Sequence, residues 1–261
     1  MSGYSSQLRT AAEAAKLAGQ VILKHFGRSV TQETKTSTRD IVTEVDLEAE
    51  SIIVSNLRQH YPSVPILSEE SSNKVAGDTL WIVDPLDGTT NFVRGIELFS
   101  VAICLSVNSA PVVGVVYQPI LDQLFTAEVG VGSFLNGTRI SVSKTTKLED
   151  FTIASNMSYA DPDRSIILEN IRRQMQVVAG IRLFLAIQLD LSMVARGSLD
   201  AALGYSTSPW DVAAGCALVR EAGGVVTNWE GGNWTVDDRN FVASNGKDHD
   251  SILELLYSGS Q

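Results

Sequence analysis

The fold and the chemistry of this chain are both indicated by residues Trp81 to Phe92, which read WIVDPLDGTTNF. An apolar run of β-branched and aromatic side chains that stops near a proline predicts a buried strand from Leu80 to Val83. Two aspartates, Asp84 and Asp87, follow at its end. Because α/β proteins place ligands at the carboxyl ends of strands, this pair of carboxylates predicts a cation site.

Three residues that suit a phosphate follow the aspartates at once. Gly88 lets the backbone approach an oxyanion, and Thr89 and Thr90 supply hydroxyl and amide groups at what would be the start of a short helix. The other interpretation is an Asp-Gly turn followed by a Ser/Thr turn. The position of these residues directly after the carboxylates favours the phosphate site.

Length and composition indicate one compact enzyme or two small lobes. The chain has 261 residues, of which 44% are hydrophobic and 19% charged. The formal net charge of -10 and the lack of a Lys/Arg block argue against nucleic-acid and anionic-membrane partners. The first residues lack the apolar centre of a secretory signal, and no stretch reaches ~18 apolar residues, so we expect a cytoplasmic protein.

The cysteines and histidines do not predict a metal or nucleophile site. Cys104 and Cys216 lie in apolar segments, which predicts two buried free thiols. His25, His60 and His249 are scattered, without ligand spacing or a Ser-His-Asp order, and we expect each at the surface or at its boundary.

Hydrophobic periodicity predicts a helical start, a β-rich middle and a mixed end. The predicted helices are Ser5 to Phe26, Asp46 to Leu57, Asp163 to Met175, Gln188 to Ala195, Trp210 to Glu221 and Asp248 to Tyr257. The predicted strands after Leu80 to Val83 are Val101 to Val107, Val112 to Tyr117, Gln123 to Ala127, Thr152 to Ser155, Ala201 to Leu203, Val225 to Thr227 and Phe241 to Ala243. A turn at Asn108 to Pro111 predicts an antiparallel meander. This pattern predicts a layered α/β or α+β fold with two lobes, roughly 1–145 and 146–261.

Acidic positions far apart in the sequence extend the prediction, namely Glu69-Glu70, Asp84, Asp87 and Asp211. Singly, each is explained by a turn or by helix capping, and capping alone would also explain Asp46. Their neighbours are apolar or small, however, and several buried carboxylates are tolerable only around cations. Oxygen ligands without a nearby His or Cys favour Mg²⁺ or Mn²⁺ over Zn²⁺. One of Asp84 and Asp87 could bridge two ions, which suits phosphoryl transfer.

The spacing of the aspartates also bears on the mechanism. An aspartyl nucleophile of the haloacid dehalogenase type uses Asp-x-Asp-x-Thr, whereas this chain has Asp-x-x-Asp-Gly-Thr. One extra residue at a strand end changes which carboxylate faces the phosphate, so the covalent mechanism is disfavoured and stays an alternative. We expect a metal-activated water as the nucleophile.

Together these motifs resemble the inositol monophosphatase family, within the Mg²⁺-dependent and Li⁺-sensitive sugar phosphatases, over nearly the whole chain. The matching segments are Lys35-x4-Asp40-x-Val42-Thr43-x2-Asp46, Ser68-Glu69-Glu70-Ser71, WIVDPLDGTTNF, and Trp210-Asp211-Val212-Ala213-Ala214-Gly215 with Glu221-Ala222-Gly223-Gly224 behind it. The resemblance implies a five-layer αβαβα sandwich of the inositol monophosphatase/fructose-1,6-bisphosphatase type. It also implies a single domain over residues 1–261 that forms a homodimer.

The same resemblance implies a metal site with two to three Mg²⁺ ions, or Mn²⁺ in their place. Glu69, Asp84 and the Leu86 carbonyl would hold the first ion. Asp84, Asp87 and Asp211 would hold the second, and Glu69 would help to hold a third.

The resemblance further implies a catalytic set made of Asp46, Thr89 and Glu69. Thr89 with Asp46 would orient and deprotonate the attacking water, while the amides of Gly88 and Thr89 bind the phosphate. The implied substrate-binding residues are Asp87, Gly88, Thr89 and Asp211.

The chain departs from the family where substrate specificity is expected. Many relatives carry Arg-x-x-Gly-Ser/Thr-Ala where this chain reads RLFLAI, residues 182–187, so that Leu185 replaces a glycine. Gly204 stands where animal inositol phosphatases have a Glu that contacts ring hydroxyls. We expect a pocket that is wider, or one shaped by Tyr205 and Ser206.

The function implied by the resemblance is Mg²⁺-dependent hydrolysis of a small polyol or sugar phosphate, with inositol-1-phosphate first. Histidinol phosphate, fructose 1,6-bisphosphate and 3′-phosphoadenosine 5′-phosphate are alternative substrates. A non-catalytic regulatory protein with this fold is the alternative of another class.

Overall fold

A computed structural model describes residues 3–34, 41–71, 77–157 and 161–256 of the chain. The helices are α1 Ser5–His25, α2 Glu44–His60, α3 Thr89–Val93, α4 Asp161–Gln174, α5 Ile187–Ala195, α6 Pro209–Glu221 and α7 His249–Glu254. The strands are β1 Gln32–Thr34, β2 Ile41–Thr43, β3 Ile66–Ser68, β4 Thr79–Asp87, β5 Ser100–Val107, β6 Ala110–Gln118, β7 Gln123–Glu128, β8 Gly132–Leu135, β9 Thr138–Arg139, β10 Thr152–Ser155, β11 Gly180–Arg182, β12 Ala201–Gly204, β13 Val225–Thr227 and β14 Phe241–Ser244. The strands that the sequence did not predict span two to four residues, which is too short for a periodic pattern.

The larger sheet has seven strands, β3 to β9, in chain order. β3 pairs with β4 in parallel and every later neighbour is antiparallel, so the predicted meander is confirmed. The β5–β6 turn is shorter than predicted, because Ala110 and Pro111 already belong to β6. Asn108 and Ser109 alone form it, with φ of 50° and 60°. Positive φ at both residues matches the right-handed twist of the flanking strands.

The second sheet is mixed and has five strands in the order β11-β10-β12-β14-β13. β10 pairs in parallel with β11 and β12, and the other pairs are antiparallel. β1 and β2 form a separate antiparallel pair directly before α2. The parallel pairs need crossover connections, and α4 and α5 supply them.

The layers of the molecule follow the order αβαβα, so the predicted five-layer sandwich is confirmed. α1 and α2 bury an apolar face against the larger sheet around Ile103. α5 and α6 lie between the sheets, where Val212 shares one apolar cluster with Ile82 of β4 and Phe241 of β14. α7 covers the outer face of the five-stranded sheet with Ile252, and α4 lies against β12 on that face.

Two glycines let α6 approach its neighbours closely. A Cβ on Gly215 would collide with the Leu191 side chain of α5, and a Cβ on Gly114 of β6 would lie 2.5 Å from the carbonyl oxygen of Ala214. Neither position has room for a side chain. These close contacts fix the position of α6 between the two sheets. They also fix its first turn, which carries Asp211.

The thiol prediction is confirmed, whereas one histidine prediction is wrong. Cys104 and Cys216 are buried free thiols. His249 is buried, at 8% exposure, instead of lying at the surface. Hydroxyl groups of Thr227 and Ser244 lie 2.9 and 2.8 Å from its two ring nitrogens. Both ring nitrogens have partners, which makes the burial of this polar ring tolerable.

Three further expectations concern membrane-spanning helices, the first motif and the division into lobes. None of the described helices is both long and apolar enough to cross a membrane. Lys35 and Asp40 of the first motif lie outside the described residues. The division into lobes near residue 145 stays a prediction.

Candidate active site

A β-bulge at the end of β4 brings the two aspartates to one side of the sheet. Asp84 pairs with Ala102 of β5 and Asp87 pairs with Ser100, so β4 advances three residues where β5 advances two. Side chains three apart on a regular strand point to opposite faces, and one extra residue restores a common face. Both aspartates accordingly line the same pocket.

Asp84 is buried, at 2% exposure, among other carboxylates. Its Oδ1 accepts a hydrogen bond from the Leu86 amide at 3.1 Å. Burial raises the pKa of Asp84 well above its usual range, and the nearby carboxylates of Glu69, Asp87 and Asp211 raise it further. Glu69 is placed beside it because the Glu69 amide, which follows β3, donates to the Val83 carbonyl of β4.

Asp87 connects the strand end to the start of α5. Its carboxylate accepts hydrogen bonds from the Ser100 hydroxyl and from the amides of Ile187 and Gln188, each at 3.1 Å. Burial nevertheless raises the pKa of Asp87 to about 7, against the effect of these donors. The residue before α5, Ala186, has no capping side chain, so Asp87 satisfies helix amides that would otherwise lack a partner.

α5 is in turn joined to α6 by a buried amide that the sequence did not single out. Gln188 donates through Nε2 to the Trp210 carbonyl at 2.7 Å and accepts through Oε1 from the Gly215 amide at 2.8 Å. Asp190, two residues on, is also buried, and burial followed by the Asp87 charge raises its pKa well above the usual range. The hydrogen bonds from α5 therefore reach both Asp87 and the helix that carries Asp211.

Capping boxes hold the other two aspartates. Helix capping, the alternative explanation of Asp46 and Asp211, is confirmed in part: both carboxylates cap their helices from the third helical position, while Thr43 and Ser208 are the N-cap residues. Asp46 Oδ2 accepts from the Thr43 amide at 2.8 Å, and Asp211 Oδ2 accepts from the Ser208 amide at 2.7 Å. Each carboxylate is thus fixed at the third helical position, where its negative charge also interacts favourably with the helix dipole.

Thr89 links the pocket to Asp46. Its hydroxyl lies 2.9 Å from Asp46 Oδ1 and 2.9 Å from the Leu86 carbonyl oxygen. Burial raises the pKa of Asp46, although hydrogen bonds from Thr43 and Thr89 act in the opposite direction. Gly88 precedes α3 with φ of 88°, and a Cβ there would lie 2.8 Å from the Leu98 carbonyl, so this turn requires glycine.

The predicted residues come together in one pocket of about 180 Å³. Those that line it are Glu69, Asp84, Leu86, Asp87, Gly88, Thr89 and Asp211. Asp46 joins them through its bond to Thr89. The roles assigned to these residues stay predictions.

Other parts of the lining were only partly foreseen. Ser206 lines the pocket as expected, whereas Tyr205 packs against Trp229 with ring centroids 4.8 Å apart. Gly204 does not widen the pocket, because it lies in β12 where the Phe241 ring covers it. Asn156, which also lines the pocket, directly follows β10, so the strand-end signal that pointed to Asp84 could have found it.

The donor set fits a hard divalent cation. All candidate ligands are carboxylate or carbonyl oxygens, which Mg²⁺ prefers. Glu69 and Asp84 share a hydrogen bond, and a bond between two carboxyl groups requires a proton where a cation would otherwise offset their charge. Within the described ranges, no group of three or more His, Cys, Asp or Glu side chains is already arranged to hold an ion.

An αβαβα sandwich with an acidic pocket at a strand end fits an enzyme that uses a divalent cation. The profile described as "Inositol monophosphatase family" matches residues 4–261, and the chain belongs to this family. It is therefore a phosphoric monoester hydrolase. "Fructose-1,6-bisphosphatase/inositol-1-monophosphatase" of Thermotoga maritima is 38% identical over 238 residues, which cover 91% of each chain. "Nus factor SuhB" of Salmonella typhimurium is 36% identical over 242 residues, again 91% of each chain.

Solved structures agree with this assignment. The extragenic suppressor protein suhB from Bartonella henselae has a TM-score of 0.91 at 38% identity, covering 98% of this chain and 100% of that chain. An "IMPase/NADP phosphatase complexed with Mg2+ and phosphate" has a TM-score of 0.81 at 27% identity, covering 98% of this chain and 94% of that chain. The family is metal-dependent, in line with the donor set of the pocket.

Proposed function

We propose that this chain hydrolyses the phosphate monoester of a small polyol or sugar with the help of Mg²⁺, and that inositol-1-phosphate is the first substrate to test. The observation that carries the proposal is the hydrogen bond from Thr89 to Asp46 beside a pocket lined by four carboxylates. It provides a proton acceptor next to a site that can bind cations and phosphate.

The hydroxyl of Thr89 is oriented to accept a proton from water. A hydroxyl has one proton to donate and two lone pairs. The Thr89 proton is directed to Asp46 or Leu86, so its lone pairs remain for a water in the pocket. When that water attacks phosphorus, it gives a proton to Thr89, and Thr89 passes its own proton to Asp46. Because burial raises the pKa of Asp46, its protonated product is favoured.

The phosphate is proposed to bind at the start of α3. Gly88 precedes this helix, and the first amides of a helix lack intrahelical partners. The amides of Gly88 and Thr89 would therefore donate to phosphate oxygens, and Asp87 and Asp211, which line the same pocket, are the other proposed substrate-binding residues.

The carboxylates are proposed to hold two to three Mg²⁺ ions, or Mn²⁺. Glu69, Asp84 and the Leu86 carbonyl form the first set of ligands, and Asp84, Asp87 and Asp211 form the second. Glu69 also contributes to a third ion and is the third catalytic residue. When bound there, Mg²⁺ supplies positive charge that offsets the carboxylates, polarises a phosphoryl oxygen and acidifies water.

Phosphate release with and without Mg²⁺ tests the proposal. The panel is inositol-1-phosphate, histidinol phosphate, fructose 1,6-bisphosphate and 3′-phosphoadenosine 5′-phosphate, each with and without Li⁺. Asp46→Asn keeps the size of the side chain but removes the proton acceptor, so we expect kcat to fall by about 100-fold or more with KM little changed. Asp237→Asn, at an exposed position, is the matched control. Full activity of Asp46→Asn would contradict the proton path.

A regulatory role is the second candidate, because a relative with 36% identity is named "Nus factor SuhB". The net charge of -10 disfavours direct contact with nucleic acid, so a protein partner is the better candidate for such a role. Absence of phosphate release from the whole panel at saturating Mg²⁺ would favour this candidate over the enzyme.

We also propose a cytoplasmic homodimer. Two buried free thiols are consistent with a reducing compartment. Light scattering at micromolar concentration measures the assembly, and a monomer mass would overturn the dimer.

A further inference from the structure

An apolar wall adjoins the carboxylates in the pocket. Ile41, Met157, Leu185 and Ile187 all line it together with the predicted metal ligands. Leu185 is 38% exposed, so much of its side chain faces solvent when no substrate is present. An exposed apolar side chain at the mouth of a polar site is available to bury against a ligand.

Leu185 occupies a backbone conformation that a leucine rarely adopts. Its φ is 57°, in the left-handed region where glycine is free of strain and a branched side chain is not. A residue kept in such a conformation at a functional site is a candidate for a functional role. Glycine would adopt this backbone conformation without strain, so the presence of a leucine has to be explained by what its side chain does.

Hydrogen bonds on both sides hold this conformation in place. The Asn91 side chain donates to the Phe184 carbonyl at 2.7 Å, and the Ile187 amide donates to Asp87 at 3.1 Å. Asn91 is itself buried and also donates to the Leu98 carbonyl at 2.7 Å. The segment therefore presents Leu185 to the pocket at a fixed position relative to Asp87.

Three polar side chains elsewhere in the lining already have hydrogen-bond partners in the protein. Asn156 uses both halves of its amide on Tyr205, at 3.0 and 3.2 Å. Thr207 donates to the Arg239 carbonyl at 2.9 Å, and Ser206 accepts from the Arg239 guanidinium at 3.0 Å. A substrate hydroxyl would have to share the Asn156 amide and the Ser206 hydroxyl oxygen with these bonds, whereas an apolar ring face needs no such partner.

We propose that Leu185 determines substrate specificity and that the preferred leaving group presents an apolar ring face, alicyclic or aromatic, to it. This inference rests on the proposed phosphatase function. The phosphate is bound at α3 while the ring of the alcohol packs on the side chains of Leu185 and its apolar neighbours. Hydrolysis then releases a cyclic alcohol with few hydroxyls on the face that meets the wall.

A matched pair of substrates tests the proposal. Cyclohexyl phosphate and inositol-1-phosphate share a six-membered ring and differ in its hydroxyls. Comparing the ratio of their kcat/KM values between variants removes the intrinsic difference in leaving-group reactivity. We expect Leu185→Gly and Leu185→Asn, which both tolerate positive φ, to lower kcat/KM for cyclohexyl phosphate about tenfold, with less than about a twofold loss for inositol-1-phosphate.

Ser109→Gly is the control for a change of backbone freedom. Ser109 also has positive φ, at 60°, but lies in the turn at the far end of β5 from Ser100 and Asp87. This variant should leave the ratio unchanged. A ratio that stays within twofold of wild type in both Leu185 variants would overturn the proposal while leaving the phosphatase function intact.

Failure of the proposed function gives a different result. In that case neither ester shows Mg²⁺-dependent phosphate release from the wild type. Calorimetric titration of the two esters then decides the inference. Tighter binding of cyclohexyl phosphate that is lost in Leu185→Gly would support the apolar subsite, and equal or absent binding of both esters would overturn it.

Discussion

Asp84→Asn is expected to stabilise the metal-free protein while removing its response to Mg²⁺. The substitution keeps the local geometry, because the amide oxygen still accepts from the Leu86 amide and the new amide nitrogen can donate to Glu69 in place of the shared proton. It removes a buried carboxyl whose ionised form is opposed by burial and by three neighbouring carboxylates. Carboxylates gathered in a buried site lower the stability of the metal-free protein, and the variant regains part of that stability because it has one carboxylate fewer.

The magnitude follows from proton linkage. The native pKa of Asp84 is raised well above the unfolded value, so above about pH 4 the unfolded chain loses this proton while the native protein keeps it. Stability therefore falls as pH rises between the two pKa values, by about 1.4 kcal/mol per pH unit for one group. Over the pH range between these two pKa values the variant should therefore gain on wild type, at a rate of at most about 1.4 kcal/mol per pH unit.

Urea unfolding in a chelator at pH 5, 6 and 7 measures this difference. Added Mg²⁺ should narrow the difference, because an ion at 100 times its Kd stabilises wild type by about 2.7 kcal/mol and finds one ligand missing in the variant. Asp237→Asn, at an exposed position, should match wild type in both tests. Parallel pH curves for Asp84→Asn and wild type would contradict the raised pKa of Asp84, and equal stabilisation of both proteins by Mg²⁺ would contradict its role as a metal ligand.

Three further substitutions test the supports of the site. Gln188→Leu leaves two buried main-chain groups without partners and should lower the free energy of unfolding by about 2–5 kcal/mol. Calorimetry should also show weaker Mg²⁺ binding, and an unchanged Mg²⁺ affinity would argue against a positioning role for Gln188. Gly215→Ala forces a Cβ onto Leu191 and should cost about 1–3 kcal/mol by urea unfolding, whereas a neutral effect would show that α5 and α6 can separate. Thr89→Val preserves shape but loses the bond to Asp46, so kcat should fall about 100-fold or more with an unchanged unfolding midpoint; retained kcat would exclude the Thr89 path.

The sequence predicted those helices and strands whose hydrophobic repeat is long, together with the residues at which they end. α1 and β5 were predicted within one residue of their observed bounds, because the apolar repeats that define them extend over two turns or more, or over a full strand. β3 was not predicted, since three residues carry no period, although it places Glu69 beside Asp84.

The supports of the site were less predictable than its carboxylates. Asp84, Asp87 and Asp211 stand out because acids among apolar neighbours are costly. Two of the three hydrogen bonds that hold Asp87 come from residues 100 and 101 positions further along the chain, and no local sequence pattern predicts such a contact. Leu185 stood out only as a departure from the family, and its strained backbone is visible only in three dimensions.

The bulge in β4 makes the length of this segment as important as its composition. In an unbroken strand, two acids separated by one residue share a face, whereas acids separated by two residues share a face only if the strand holds one residue more than its neighbour. Asp84 and Asp87 follow the second arrangement. Substitutions between the two acids leave this backbone unchanged, whereas loss of one residue there would keep both acids on one face only if the bulge were lost with it. The length of this segment and the presence of the bulge are therefore linked by backbone geometry, independently of the chemistry of the two acids.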